Sequence, residues 1–216
     1  MRALSKLDER LSLRLFQSGR AIPRSVWKIL EYSGDGIVWL VVATLIIIVG
    51  IYGNGFAAYG CSALKGFRPF EVLDDCLSLG INLLLGLLID LLEVGLLKAI
   101  CKRPRPLYNN ISKDMNVIVP VDAYSFPSGH SSRVSFLAQL AILMLPIQEY
   151  KLAVASWALL VSCSRCMMGR HYCSDVVAGL ILGTATTMIL TRGLSAQGLE
   201  LNKMACMRFA SLLLKN

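Results

Sequence analysis

Apolar residues dominate five stretches of this chain: Ile37 to Tyr52, about Leu77 to Leu97, Val134 to Leu145, Leu152 to Met168 and Val176 to Leu190. Polar and basic residues collect in the segments between them. Runs that are apolar at almost every position predict helices apolar on all sides, which is what a bilayer demands of a span. Crossing the hydrocarbon core takes roughly 20 residues, so several of these runs must extend into their flanking turns. The expected fold is all-α, a transmembrane bundle of about five spans. Glycines at 80, 86, 95, 179 and 183 lie within the spans and permit close helix approach.

Residues 1–36 are patterned differently. In "LSKLDERLSLRLFQSGR", Leu4, Leu7, Leu11 and Phe16 alternate with Lys6, Arg10 and Arg14, the signature of an amphipathic helix. It suits a helix lying in the membrane interface, or an ordinary packing helix. The tail from Leu194 to Leu214 is only intermittently apolar and reads as interfacial rather than as a further span. The expected organisation is therefore an amphipathic segment over 1–36, a transmembrane domain over 37–191 and a tail over 192–216. No internal repeat or soluble linker interrupts it.

Composition agrees with this pattern. With 55% hydrophobic and 17% charged residues in 216, the chain holds more apolar surface than a globule of its length can bury. The net charge of +8 is spread over the N-terminal segment, the turns and the C-terminal region, without an aromatic-interleaved basic surface. Nucleic acid is thus not an expected partner, whereas anionic head groups are. More than thirty mixed residues precede the first apolar run and no small-residue cleavage site follows it, so no cleavable signal peptide is expected. Seven cysteines, an odd number scattered along the chain, make no disulfide framework. Cys163, Cys166, His171 and Cys173 resemble half of a zinc site but lack a second paired arm, and no metal is expected.

Asp90 and Glu93 fall inside the second run, three apart and so on one helical face. Carboxylates in a span are costly and usually face a bundle interior. They are read as tethers to neighbouring helices rather than as chemistry.

Three short segments carry the chemistry. The second run ends in "KAICKRPRP", placing Lys98 and Arg105-Pro106 in the spacing K-x6-R-P. The third is preceded by "PSGH", Pro127 to His130. The fourth ends in "SRCMMGRHYCSD", with Arg165, His171 and Asp175. Two hairpins of spans bring all three to one side of the membrane. Taken singly each has a plain explanation: snorkelling bases, a capping Ser128, a turn Gly129. Together they suit phosphoryl transfer. Lys98, Arg105 and Arg165 offer charge and N–H donors to phosphate oxygens. Ser128 and Gly129 open a helix whose free N–H groups face the same anion. His171 and Asp175 are four apart; if that segment is helical, the carboxylate holds one ring nitrogen and leaves the other to attack phosphorus. His130 then protonates the leaving oxygen and later activates water.

These residues match the three-part motif of the type 2 phosphatidic acid phosphatase superfamily, which this chain resembles from Lys98 to Asp175 with every motif position intact. The resemblance implies a helical-bundle phosphohydrolase that forms a phosphohistidine and needs neither metal nor other cofactor. Within the superfamily, "YSFPSGHSSR" and "LLEYSGDG" are most similar to the polyisoprenoid diphosphate phosphatases. The expected substrates are isoprenoid diphosphates of the farnesyl, geranylgeranyl or presqualene type, with Lys102 and Arg103 as candidates for a second phosphate. Glycerolipid or sphingoid monophosphates are the alternative, and a non-catalytic interaction protein is a third reading that would be marked by a lost motif residue. The expected location is the endoplasmic reticulum or nuclear envelope membrane. Oligomeric state is not legible. With one span ahead of the second, the N-terminus and the active site share a face, and the basic N-terminal segment places that face in the cytosol.

Overall fold

A computed structural model describes residues 2–60, 69–109, 123–144 and 149–193. The described residues form helices and no strand: α1 (Arg2–Gly19), α2 (Arg24–Ser33), α3 (Gly36–Gly60), α4 (Pro69–Cys101), a 3-10 turn at Leu107–Asn109, α5 (Gly129–Met144), α6 (Glu149–Met167) and α7 (Cys173–Gly193). Each apolar run lies within one helix, α3 to α7 in order, as far as the described residues reach. Among the described residues two helical stretches are long and apolar enough to cross a membrane: Arg24–Tyr52, with mean hydropathy 2.4, and Cys173–Thr191, with 1.6. The tail from Leu194 to Leu214 lies outside the described residues.

The chain divides into two compact units. One holds the residues up to Val38 together with Leu88–Thr187; the other holds Trp39–Leu87 and the chain from Met188. In the second unit α3 and the first part of α4 are in close contact. A Cβ on Gly50 would stand 2.9 Å from Leu77 Cα, and one on Gly80 2.8 Å from Ile47 Cγ1.

The first unit is polar within and apolar without. Ser128, Ser131, Ser132, Ser135, Ser164, Asp90, Arg165 and Asp175 are buried, while Leu92 is 71% exposed and Leu152 78%. Such an inversion suits a lipid surround, where every internal polar group must find a protein partner. Val134 and Ala138 of α5 pack on Ala158 and Val161 of α6, flanked by Leu30 of α2 and by Val154 and Trp157 of α6. Trp157 also donates its indole N–H to Ser33 Oγ at 2.9 Å, which satisfies its polar edge while the ring packs. α5 and α7 approach so closely that only glycine fits between them: a Cβ on Gly183 would fall 2.0 Å from the Ser132 carbonyl oxygen. Ser135 Oγ and Gln139 complete this seam, donating to the Leu180 carbonyl at 2.9 Å and to Thr184 Oγ1 at 2.8 Å.

The two carboxylates in the second half of α4 are tethers between helices. Asp90 is wholly buried, accepts from Ser132 Oγ and lies 3.6 Å from Arg133 Nη2, joining α4 to α5. Glu93 accepts from Thr186 Oγ1 at 3.0 Å, joining α4 to α7.

α1 packs against the start of α7. Its Ser12 is fully buried and its polar side chains bond to the start of α7. Leu7 and Leu11 remain exposed on it.

Candidate active site

Three breaks in the helices bring the polar residues together. α4 ends at Cys101; Lys102 takes a left-handed conformation (φ 46°), and Pro104 and Pro106 forbid further helix. α5 begins at Gly129, with Ser128 Oγ 3.4 Å from the Ser131 N–H it caps and 2.9 Å from Ser131 Oγ. α6 stops at Gly169 (φ 68°). There the N–H of Gly169 bonds to the Cys166 carbonyl at 2.9 Å and that of Arg170 to the Arg165 carbonyl at 3.0 Å, a paired closure of a helix end that needs the left-handed residue glycine accepts most readily. His171 follows at once, on the short connection to α7.

His171 is 2% exposed. Its Nδ1 lies 2.7 Å from the Ser125 carbonyl oxygen and 3.8 Å from Asp175 Oδ2. The expected helical pairing of His171 with Asp175 is therefore corrected: His171 precedes α7, and a backbone carbonyl is its nearer partner. A carbonyl only accepts, so Nδ1 carries the hydrogen and Nε2 keeps its lone pair. Burial, opposed by Asp175 and reinforced by Arg105 and Arg165, lowers its pKa to about 4. The ring is neutral at pH 7.

Asp175 is wholly buried in the first turn of α7. Its Oδ2 accepts the Tyr172 N–H at 2.9 Å and its Oδ1 accepts from Arg103 Nη1 at 2.7 Å, while its carbonyl accepts the Ser128 N–H at 3.0 Å. One residue thus connects the "PSGH" segment, the His171 connection and the end of α4.

Arg105 and Arg165 lie within electrostatic reach of the His171 ring. Arg165 is 2% exposed, and its Nη1 lies 2.9 Å from Glu31 Oε1. The same Glu31 oxygen is 2.9 Å from Arg170 Nη1. Arg165 Nε is buried with no hydrogen-bond partner among the described residues, and so is His130 Nε2. His130 lies within electrostatic reach of His171 and Arg165. Arg105 donates from Nη1 to the Arg170 carbonyl at 3.1 Å. Lys98, in the last turn of α4, is 4% exposed. Gly129 sits against Val94, which a Cβ would approach to 3.3 Å.

Arg103 is not free to meet a phosphate. It donates to Asp175, to Ser174 Oγ at 2.7 Å and to Asp8 Oδ2 at 2.8 Å, and its guanidinium lies 4.0 Å from the Tyr172 ring centre. Its place in a second phosphate site is withdrawn. Among the cysteines, Cys166 Sγ lies 4.0 Å from Cys173 Sγ, and His171 Nδ1 is already held. No group of three or more metal-ligating side chains is assembled among the described residues.

Sequence reasoning missed Glu31, Arg170, Asp8 and the Ser125 carbonyl. Charged residues at the turn and in the amphipathic helix read equally as solvated, and a carbonyl has no residue type to betray it.

A sequence profile of the PAP2 superfamily matches residues 77–198, a stretch that contains all three segments. The chain belongs to the PAP2 superfamily. Among curated proteins it is similar to a probable lipid phosphate phosphatase beta of Arabidopsis thaliana, 36% identical over 50% of this chain and 62% of that protein. It is also similar to an undecaprenyl-diphosphatase of Sulfolobus acidocaldarius, 32% identical over 65% of each chain. The chain thus spans less than two thirds of the length of either. In fold it is similar to a PAP2 type phosphatidylglycerolphosphate phosphatase from Bacillus subtilis, with TM-score 0.54 and 22% identity over 88% of this chain and 86% of that one.

Proposed function

We propose that this chain is a membrane phosphohydrolase that releases phosphate from isoprenoid diphosphates through a phosphohistidine on His171. The observation that carries the reading is the 2.7 Å contact of His171 Nδ1 with the Ser125 carbonyl, which leaves Nε2 unprotonated on a ring within electrostatic reach of Arg105 and Arg165. Nε2 attacks phosphorus as the bond to the leaving oxygen breaks, and His130, neutral in the free protein because burial and the neighbouring arginines lower its pKa, supplies that oxygen's proton after taking one up together with the anionic substrate. Neutral His130 then takes a proton from water; the water oxygen bonds to phosphorus, the P–N bond breaks and inorganic phosphate leaves. Lys98, Arg105, Arg165 and the N–H groups at Ser128 and Gly129 hold the phosphate oxygens as charge spreads. Side chains supply the neutralisation that a metal would otherwise give, so turnover is expected to survive EDTA.

The diphosphate assignment draws on the local sequence resemblance and on the Sulfolobus relative, whose name states a diphosphatase. The Arabidopsis relative, named a lipid phosphate phosphatase, and the engagement of Arg103 favour a second reading, hydrolysis of lipid monophosphates such as phosphatidate. Five spans within 37–191, interfacial segments at both ends and a place in the endoplasmic reticulum or nuclear envelope belong to the same proposal. The bonds from Asp8 and Ser12 to Ser174 and Cys173 support a common face for the N-terminal helix and the site, whatever the number of spans. The positive-inside rule makes that face cytosolic. A cysteine placed at Lys102, with native cysteines removed, should be labelled from the cytosolic side of sealed microsomes.

The experiment that tests the function is phosphate release by purified protein from farnesyl diphosphate, presqualene diphosphate, phosphatidate and sphingosine phosphate, with EDTA and with vanadate. Highest kcat/KM on a diphosphate, insensitive to EDTA and blocked by vanadate, is expected. Preference for a monophosphate would overturn the substrate, and a need for metal would overturn the mechanism.

A further inference from the structure

The first turn of a helix leaves N–H groups that its own backbone cannot satisfy. In α7 two of them are met from outside, by α1. Ser12 Oγ accepts the Cys173 N–H at 2.9 Å, and Asp8 Oδ1 accepts the Ser174 N–H at 3.0 Å. Asp8 Oδ2 accepts from Ser174 Oγ at 2.5 Å and from Arg103 Nη2 at 2.8 Å. Arg103 in turn reaches Asp175 Oδ1 through Nη1 at 2.7 Å, and the other oxygen of Asp175 faces the His171 ring. Asp8, Ser174, Arg103 and Asp175 form one connected set running from the N-terminal helix to the nucleophile.

Charge explains why the set holds. Burial alone would raise the pKa of Asp8, but its bonds to Ser174 and Arg103 outweigh that and lower it. Asp8 is therefore a carboxylate at neutral pH. Arg103 carries a single charge shared between two carboxylates. Without Asp8 its guanidinium would keep Asp175 and Ser174 on Nη1 and the Tyr172 ring beside it, but would lose the anionic partner of Nη2 that braces its plane.

We infer that Asp8 is a positioning residue for the phosphoryl-transfer site, acting through Arg103 on Asp175 and so on the His171 ring, and that α1 is part of the catalytic architecture. The inference rests on the reading of the site given above. Arg103 touches no substrate in this scheme, so loss of Asp8 should slow chemistry and leave lipid binding unchanged.

A double-mutant cycle tests it in the purified full chain, using the best lipid substrate of the panel. Asp8→Asn should lower kcat about tenfold or more while KM moves less than threefold. Asp8→Asn combined with Arg103→Lys should be no slower than Arg103→Lys alone, since both act through one contact. Asp8→Glu keeps the charge and should retain at least a third of the wild-type kcat. A kcat within twofold of wild type for Asp8→Asn would overturn the inference. So would losses that multiply in the double variant, or an Asp8→Glu protein that folds yet is as slow as Asp8→Asn. Should Asp8→Asn not fold, Asp8→Glu and Arg103→Lys decide the matter by the same kcat and KM comparison. Wild-type protein inert on every lipid would defeat the phosphatase reading itself, whereas an active wild type with an equally active Asp8→Asn defeats only this one.

Discussion

The carbonyl oxygen of Ser125 lies 2.7 Å from Nδ1 of His171, closer than the 3.8 Å that separates the same nitrogen from Asp175 Oδ2. A backbone atom therefore sets the tautomer, and the carboxylate acts on the ring from a second rank. His171→Ala should abolish phosphate release, since it removes the nitrogen that attacks phosphorus. Ser125→Ala keeps the carbonyl and loses only the hydroxyl bonds to Arg103 and Pro104, so it should retain activity within about tenfold. Lipid phosphate release by the two purified variants checks both. Turnover by His171→Ala would refute the nucleophile.

Burial lowers the His171 pKa to about 4, against 6.5 for the free side chain. The unfolded chain then binds a proton that the folded chain refuses between these values. Stability from this group is intact above pH 6.5 and is lost as pH falls toward 4, by about 3 kcal/mol in all. The expected measurement is a thermal midpoint in detergent that drops across that window, with a shallower drop in His171→Gln.

Glu31 places one oxygen 2.9 Å from both Arg165 and Arg170. Removing it leaves a buried guanidinium without that counter-charge, which costs about 3 kcal/mol in comparable sites. Glu31→Ala should lower the thermal midpoint markedly and weaken vanadate inhibition, and Glu31→Gln should do both less. Unchanged stability in Glu31→Ala would show that the carboxylate is not needed to hold the arginines.

Arg103 is engaged by Asp8, Ser174 and Asp175, so its loss should not discriminate between substrates. Arg103→Gln should reduce kcat on mono- and diphosphates by the same factor. Lys102, which is exposed, is the remaining basic residue of that pair, and Lys102→Gln is expected to leave both activities near wild type. A selective loss on diphosphates in either variant would restore the second phosphate site.

The helices were legible because a bilayer leaves the sequence little freedom: a long apolar run has to be a helix. The candidate residues Lys98, Arg105, His130, Arg165, His171 and Asp175 stood out because charged groups at the ends of such runs have few reasons to be there, and the structure puts Arg105, His130, Arg165 and Asp175 within electrostatic reach of His171, while their roles belong to the proposal. What escaped was how those groups are held. Asp8 and Ser12 sit in a helix whose polar positions look like any solvated face, and their partners lie more than 160 residues away in sequence. The relation of His171 to Asp175 was misjudged because a spacing of four suggests one helix, whereas Gly169 ends α6 before His171 and α7 begins only after it.

Asp90 carries a consequence for how this protein enters its membrane. In the proposed five-span arrangement Asp90 and Glu93 share one nascent span, and a carboxylate at the centre of a span costs about 3 kcal/mol at the translocon. Ser132 and Arg133, the partners that compensate Asp90, emerge only some forty residues later in synthesis. α4 and α5 are thus expected to be released into lipid together, the earlier helix waiting beside the channel for the later. A nascent chain halted before α5 should leave α4 extractable by carbonate, and Asp90→Leu should relieve that dependence.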